Sequence, residues 1–199
     1  MLAPTHQPNI SVTRRQNDFL LSTSLWLPRA PEDLFPFFAD AFNLEEITPP
    51  FLQFRVLTNP PIVMRPGTLI DYQLRLHRFP MRWTTRIADW TPPHRFVDEQ
   101  LAGPYRKWRH EHTFEPAGAG TLMRDRVEYA PPGGRLINFL MVERSVRRIF
   151  AYRCQRLATL LADNEPADNT PTHHSLDRRS STAPSPSSSR CAPTPPMET

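Results

Sequence analysis

The hydrophobic positions of this chain change period twice along its length. From Phe19 to Leu27 apolar and polar residues alternate weakly up to Pro28, the period of a strand. Pro31 then occupies a first helical position. Glu32 and Asp33 fall in the first turn, where the helix dipole favours them, and Leu34, Phe35, Phe37 and Phe38 supply an apolar face. Pro36 interrupts that face, and an interior proline costs about 3 kcal/mol and kinks or shortens a helix. A second short helix is expected over Leu44 to Ile47, with Asn43 as its cap, Glu46 completing a capping box, and Thr48-Pro49-Pro50 ending it.

Period two then returns. Gln53 to Leu57, Thr68 to His77, Met81 to Trp90, Arg95 to Leu101, Lys107 to Phe114 and Thr121 to Tyr129 read as strands. Pro66-Gly67, Phe79-Pro80, Pro92-Pro93, Gly103-Pro104 and Gly118-Ala119-Gly120 are the turn signals between them. Such short connections imply an antiparallel meander. From Arg135 to Ala162 the spacing becomes three and four, through Phe139, Val142, Val146, Ile149, Phe150, Leu157, Leu160 and Leu161. Arg144, Arg147, Arg148, Arg153 and Arg156 lie elsewhere around the wheel. This is one helix roughly 42 Å long, hinged on Pro131 to Gly134, with Cys154 near its apolar stripe as a small core residue. The expected fold is α+β: a curved seven-stranded antiparallel sheet wrapped around a long C-terminal helix, with two short helices after the first strand. A gap between such a sheet and a single helix is a natural small-molecule site.

Composition bounds the domain. All 20 aromatic residues of the 199-residue chain precede Ala162. Residues 164 to 199 contain seven prolines, seven serines and five threonines, and no Ile, Val or aromatic residue. That composition cannot offset its ordering entropy, so 163–199 is expected to be a disordered tail, with Arg178 to Ser181 the best candidate for docking or modification. Residues 1–16 read as a shorter disordered arm, which leaves 17–162 as the folded domain. The net charge of +4 comes almost wholly from arginine, Lys107 being the one lysine. The arginines are spread along the chain rather than clustered, which speaks against a nucleic-acid partner. No apolar run approaches the roughly 20 residues of a membrane helix. Met1 to Gln16 lacks the apolar core of a secretory signal, so the cytoplasm is the expected location. Two cysteines cannot build a disulfide scaffold or a four-ligand zinc site.

Several strings carry a resemblance. They are Asn43-Leu44-Glu45-Glu46-Ile47-Thr48-Pro49-Pro50, Gly67-Thr68-Leu69-Ile70-Asp71-Tyr72, Trp90-Thr91-Pro92-Pro93 and Phe96-Val97-Asp98-Glu99-Gln100. Gly103-Pro104-Tyr105 follows, then Trp108, His110, His112 and Phe114, and finally Met123, Asp125, Val127 and Tyr129. With the element order, these resemble the SRPBCC superfamily of START, birch-pollen-allergen and polyketide cyclase/dehydrase domains, and within it the bacterial ligand-binding subgroup. The resemblance covers roughly 17 to 162. It implies a helix-grip fold around a hydrophobic cavity. It does not imply one chemistry, because the superfamily includes lipid carriers, quinone-binding proteins, receptors and cyclases.

Strand alternation selects the candidate site. Trp108, His110, His112 and Phe114 share one face, and Arg109, Glu111 and Thr113 the other. Met123, Asp125, Val127 and Tyr129 share a face of the next strand, so two histidines and an aspartate can meet on one cavity wall. Tyr72, Trp83 and Tyr105 are further wall residues, and Phe139, Val146 and Phe150 are the expected contribution of the long helix. Asp98 and Glu99 are expected on the outer face, paired with Arg82 or Arg86. The leading reading is a non-enzymatic binder of a hydrophobic small molecule such as a lipid, an isoprenoid quinone or a polyketide-like compound. One alternative is a cyclase or dehydratase using His110, His112 and Asp125 as acid–base groups. Another is an interaction module linked to cell division or regulation. There is no nucleophile elbow and no phosphate-binding loop, so no nucleotide cofactor is expected. The His-x-His spacing alone assigns no metal. The pattern leaves the oligomeric state open.

Overall fold

The computed structural model describes residues 9–162 apart from 17, 77 and 78. The expected tail over 163–199 therefore lies outside the described residues, as do residues 1–8 and His77. The strands are β1 (Asn9–Arg15), β2 (Asp18–Leu27), β3 (Arg55–Val56), β4 (Leu69–Leu76), β5 (Phe79–Thr91), β6 (Arg95–Ala102), β7 (Lys107–Ala117) and β8 (Gly120–Ala130). They form one antiparallel sheet in the order β1-β2-β8-β7-β6-β5-β4-β3. The helices are α1 (Pro31–Ala39), α2 (Leu44–Ile47), α3 (Gly134–Ile137) and α4 (Glu143–Ala162). The curved, unclosed sheet grips the C-terminal helix, as the element order implied.

The sheet has eight strands rather than seven. Residues 9 to 15, expected as part of a disordered arm, pair with β2 in a regular ladder from Asn9↔Ser24 to Arg15↔Asp18. Ile10 and Val12 explain this. They alternate, lie half-buried, and pack on a cluster of Phe19, Leu21, Val127, Tyr129, Val146 and Phe150. Arg147 adds a tie from α4 by donating to the Ile10 carbonyl at 3.1 Å.

Three local differences have physical causes. The expected strand Gln53 to Leu57 contracts to Arg55–Val56, because Pro50–Leu52 makes a tight helical turn and Gln53 closes it in the left-handed region at φ 44°. Phe79-Pro80 lies inside β5 rather than in a turn, with Pro80 opposite Arg75. Asn43 does not cap α2. Its side chain instead donates to the Phe37 carbonyl at 2.8 Å, and it is Asp40 that accepts from the Phe42 N–H at the start of the preceding turn. Pro31 does begin α1, with Pro36 inside the helix.

The long helix is not continuous. Between α3 and α4 the chain makes a π turn over Asn138–Val142. A π turn adds about one residue, which rotates everything N-terminal to it by roughly 100° against the α-helical pattern. Phe139, seven residues before Val146, is thereby carried off the buried stripe and is 80% exposed, which corrects its expected place in the cavity. The stripe that stays buried is Val146, Phe150, Cys154, Leu157 and Leu161. The lower half of this stripe packs with α1 (Leu34, Phe35, Phe38) and with Leu25, Leu27, Phe114 and Met123. The β7–β8 turn fits closely enough that Gly120 admits no side chain: a Cβ there would stand 2.2 Å from the Leu27 carbonyl oxygen.

Candidate functional site

An apolar cavity of about 200 Å³ lies between the concave face of the sheet and the helices. Strand alternation builds its wall. Tyr72 (β4), Trp83 (β5), Trp108, His110 and His112 (β7) all face inward, and Tyr105 joins them from the β6–β7 loop. Trp83, Tyr105 and Trp108 form one aromatic group, with ring centroids 4.8–5.8 Å apart. Burial pushes the Tyr72 and Tyr105 phenols well above the usual range, so both are neutral hydroxyls. The opposite wall comes from Phe37 and Phe38 of α1, Ile47 of α2, and Ile149 of α4.

The other expected residues are placed differently. Phe114 and Met123 are sealed into the core with Phe35 and Leu157. Tyr129, Val146 and Phe150 pack together in the cluster beneath β1. Asp125 is 1% exposed and stands behind the histidines rather than on the cavity surface.

One polar cluster interrupts the apolar wall. The His110 and His112 rings lie against each other, 3.7 Å apart between centroids and tilted by 38°. Phe96 stacks on the outer side of His112 at 3.9 Å, and Phe150 meets His110 edge-on at 5.4 Å. Asp125 Oδ1 lies 3.2 Å from His110 Nε2 and 2.9 Å from His112 Nδ1. The second approach is close but lacks the alignment of a hydrogen bond. Thr23 donates to Asp125 Oδ2 at 3.2 Å, and Arg153 Nε is 3.5 Å from the same oxygen. Asp98 Oδ2 faces the other side of the rings, 3.1 Å from His112 Nε2 and 3.6 Å from His110 Nδ1.

Two members of this cluster were expected elsewhere. Asp98 was assigned to the outer face with Glu99. Adjacent strand residues point to opposite faces, so only Glu99 is outside, bonded to Arg86 at 2.9 Å, while Asp98 lines the cavity. Arg153 was placed on the polar side of the helix, yet it is 6% exposed. Its position, three residues after Phe150 and four before Leu157, puts it on the buried stripe, and that spacing was the available signal.

The charges in the cluster hold one another. Burial pushes the Asp125 carboxyl up, but the Arg153 charge, the hydrogen bond from His110 and the close approach of His112 outweigh it and keep the group well below the usual carboxylate range. Asp98 is likewise lowered: burial opposes ionisation, and the charge of His110 and the hydrogen bond from His112 overcome it. The His110 imidazole is lowered by its burial and by His112 beside it, against the pull of the two carboxylates. Cys154 is a buried thiol pushed up to about 11 by desolvation, which makes it a core residue and not a nucleophile.

A curved antiparallel sheet gripping a long C-terminal helix, with an apolar cavity between them, defines a helix-grip domain of the SRPBCC superfamily. The chain belongs to the family described as polyketide cyclase / dehydrase and lipid transport, whose profile matches residues 27–150. No curated protein matches the chain at a significant level. Among solved structures, protein Ms6760 from Mycobacterium smegmatis is similar at 17% identity and a TM-score of 0.58, over 77% of this chain and 98% of that one. Protein CV1439 from Chromobacterium violaceum is similar at 16% identity and a TM-score of 0.59, over 75% and 100% of the respective chains. Ara h 8.0201 is similar at 14% identity and a TM-score of 0.57, over 74% and 99%. At these identities the likeness is one of fold. Among the described residues no helix is long and apolar enough to cross a membrane.

Proposed function

We propose that this protein binds a hydrophobic small molecule in the cavity between sheet and helix, and that it carries, sequesters or senses a lipid, an isoprenoid quinone or a polyketide-like ring. The observation that supports this reading is the wall itself: mostly aromatic and aliphatic side chains around about 200 Å³, with Asp98, His110, His112 and Arg153 gathered in one place. An apolar body with a single polar end matches that distribution. The test is native mass spectrometry of the freshly purified chain, followed by extraction of whatever departs on denaturation. A discrete apolar mass is expected. In parallel, the fluorescence of N-phenyl-1-naphthylamine should rise on binding to the wild type. Ile149→Trp, which fills the cavity from α4, should abolish that signal and leave the circular dichroism spectrum unchanged. An empty protein that also fails to bind the probe would overturn the reading.

The contact between His110 and Asp125 at 3.2 Å favours one second reading, a cyclase or dehydratase in which these groups move a proton. Turnover of a cyclisable polyketone that is lost in both His110→Ala and Asp125→Asn would establish it. Turnover unchanged in both would dismiss it.

A further inference from the structure

Four ring nitrogens meet two carboxylates in the cluster on the cavity wall. Each nitrogen of His110 and His112 has a carboxylate oxygen of Asp98 or Asp125 within 2.9–3.6 Å. A neutral imidazole carries one N–H, so two neutral rings supply two protons for four approaches. The remaining two set a nitrogen lone pair against a carboxylate oxygen. The charge balance has the same defect: two carboxylates face one guanidinium, Arg153, which leaves a negative charge uncompensated at a buried place. Protonating both rings would put a proton at each of the four nitrogens. It would also set two cations 3.7 Å apart, flanked by the rings of Phe96 and Phe150.

One divalent cation replaces both lone-pair clashes, and an anionic oxygen completing its coordination would balance the charge. We propose that Asp98, His110 and His112 form a binding site for a single divalent transition-metal ion, with Asp125 orienting both imidazoles from behind. His110 Nδ1, His112 Nε2 and Asp98 Oδ2 all lie within 4.8 Å of one another. Two of the separations are 3.1 and 3.6 Å. Ligand atoms on a tetrahedral ion with bonds of about 2.0–2.1 Å are roughly 3.4 Å apart, so the two separations to Asp98 already match, and the two ring nitrogens, within 4.8 Å of each other, would draw together on binding. With the metal in place, His110 Nε2 donates to Asp125 Oδ1 at 3.2 Å, and the proton on His112 Nδ1 faces the same oxygen at 2.9 Å. Oδ2 of Asp125 is itself held by Thr23 and Arg153. A carboxylate behind each histidine fixes its tautomer and raises its basicity as a ligand.

The donor set selects the ion class. Two imidazoles and one carboxylate suit zinc or ferrous iron, and cobalt as a probe. The set is too rich in nitrogen for magnesium or calcium, and it contains no thiolate for a soft ion. Three protein ligands leave a coordination position open, and Asp98, His110 and His112 all line the cavity. A water, or an oxygen of the bound apolar molecule, would occupy that position. The site stands whether or not the apolar ligand is ever identified, and extraction and metal binding are read separately, so either can fail alone.

The experiment uses the full chain, stripped with a chelator and titrated with Co²⁺ under visible absorption, then with Zn²⁺ by calorimetry. One ion per chain is expected, with cobalt d–d bands that zinc abolishes. Asp98→Asn and His112→Gln should each remove the bands. Asp125→Asn should keep one-to-one stoichiometry while weakening affinity about 10- to 100-fold. His173→Gln/His174→Gln, which removes the adjacent histidine pair near the C-terminus, should change nothing. Absence of saturable one-to-one binding, or binding unaffected by Asp98→Asn and His112→Gln, overturns the proposal. Should those variants fail to fold, X-ray absorption on zinc-loaded wild type decides: two imidazoles in the first coordination sphere are expected, and a shell without them refutes the site.

Discussion

At the scale of single residues, burial fixes chemistry that residue type alone leaves open. Cys154 is 2% exposed, and its thiol is pushed up to about 11 from 9.0. In the folded chain it should resist iodoacetamide at pH 8 and react only after unfolding, with peptide mapping separating it from Cys191. The raised value also predicts a pH dependence. Well below pH 9 the thiol is protonated in both states and contributes no slope. Between about 9 and 11 the unfolded chain releases this proton and the folded chain keeps it, so stability falls as pH rises, by at most roughly 2–3 kcal/mol. Urea titrations at pH 8.5 and 10.5 on wild type and Cys154→Ala should show this difference only in the wild type. His110, His112 and Asp125 could be brought together from the sequence because strict alternation on two consecutive strands places them. Asp98 and Arg153 could not, since each was sorted by its charge, and a buried charge violates that rule wherever a partner compensates it.

Elements show the same division between regular and irregular pattern. The α4 stripe was readable because its three-and-four spacing holds from Val146 to Leu161. The π turn was not, since a single added residue leaves every neighbouring residue type plausible and alters only phase. Two substitutions of the same kind separate the halves. Phe150 is 3% exposed, and Phe150→Ala should cost about 3–5 kcal/mol as a large core truncation. Phe139→Ala, on a side chain 80% exposed, should cost less than about 0.5 kcal/mol. Equal losses in denaturant titrations would show that the helix runs through without the change of phase. The first strand was missed for a related reason. It offers only Ile10 and Val12 as apolar signal, the minimum for an edge strand supported from one face.

In the whole molecule, β1 forms one edge of the sheet and the two-residue β3 the other. Removing residues 1–16 would unpair β2 along its entire outer side and expose the apolar cluster under Ile10 and Val12. The truncated protein should melt earlier and aggregate sooner, because an open edge is a template for strand addition. An unchanged melting temperature and light-scattering onset would show that β1 contributes nothing. The overall architecture was legible because a meander with short turns leaves few alternatives, and a single long helix must cover the sheet it follows. The charged cluster at the centre has a different standing. Replacing a buried set of ionic groups by apolar residues of matching volume is often neutral or stabilising. Repacking positions 98, 110, 112, 125 and 153 together should therefore raise the melting temperature, while abolishing the metal binding proposed for the cluster.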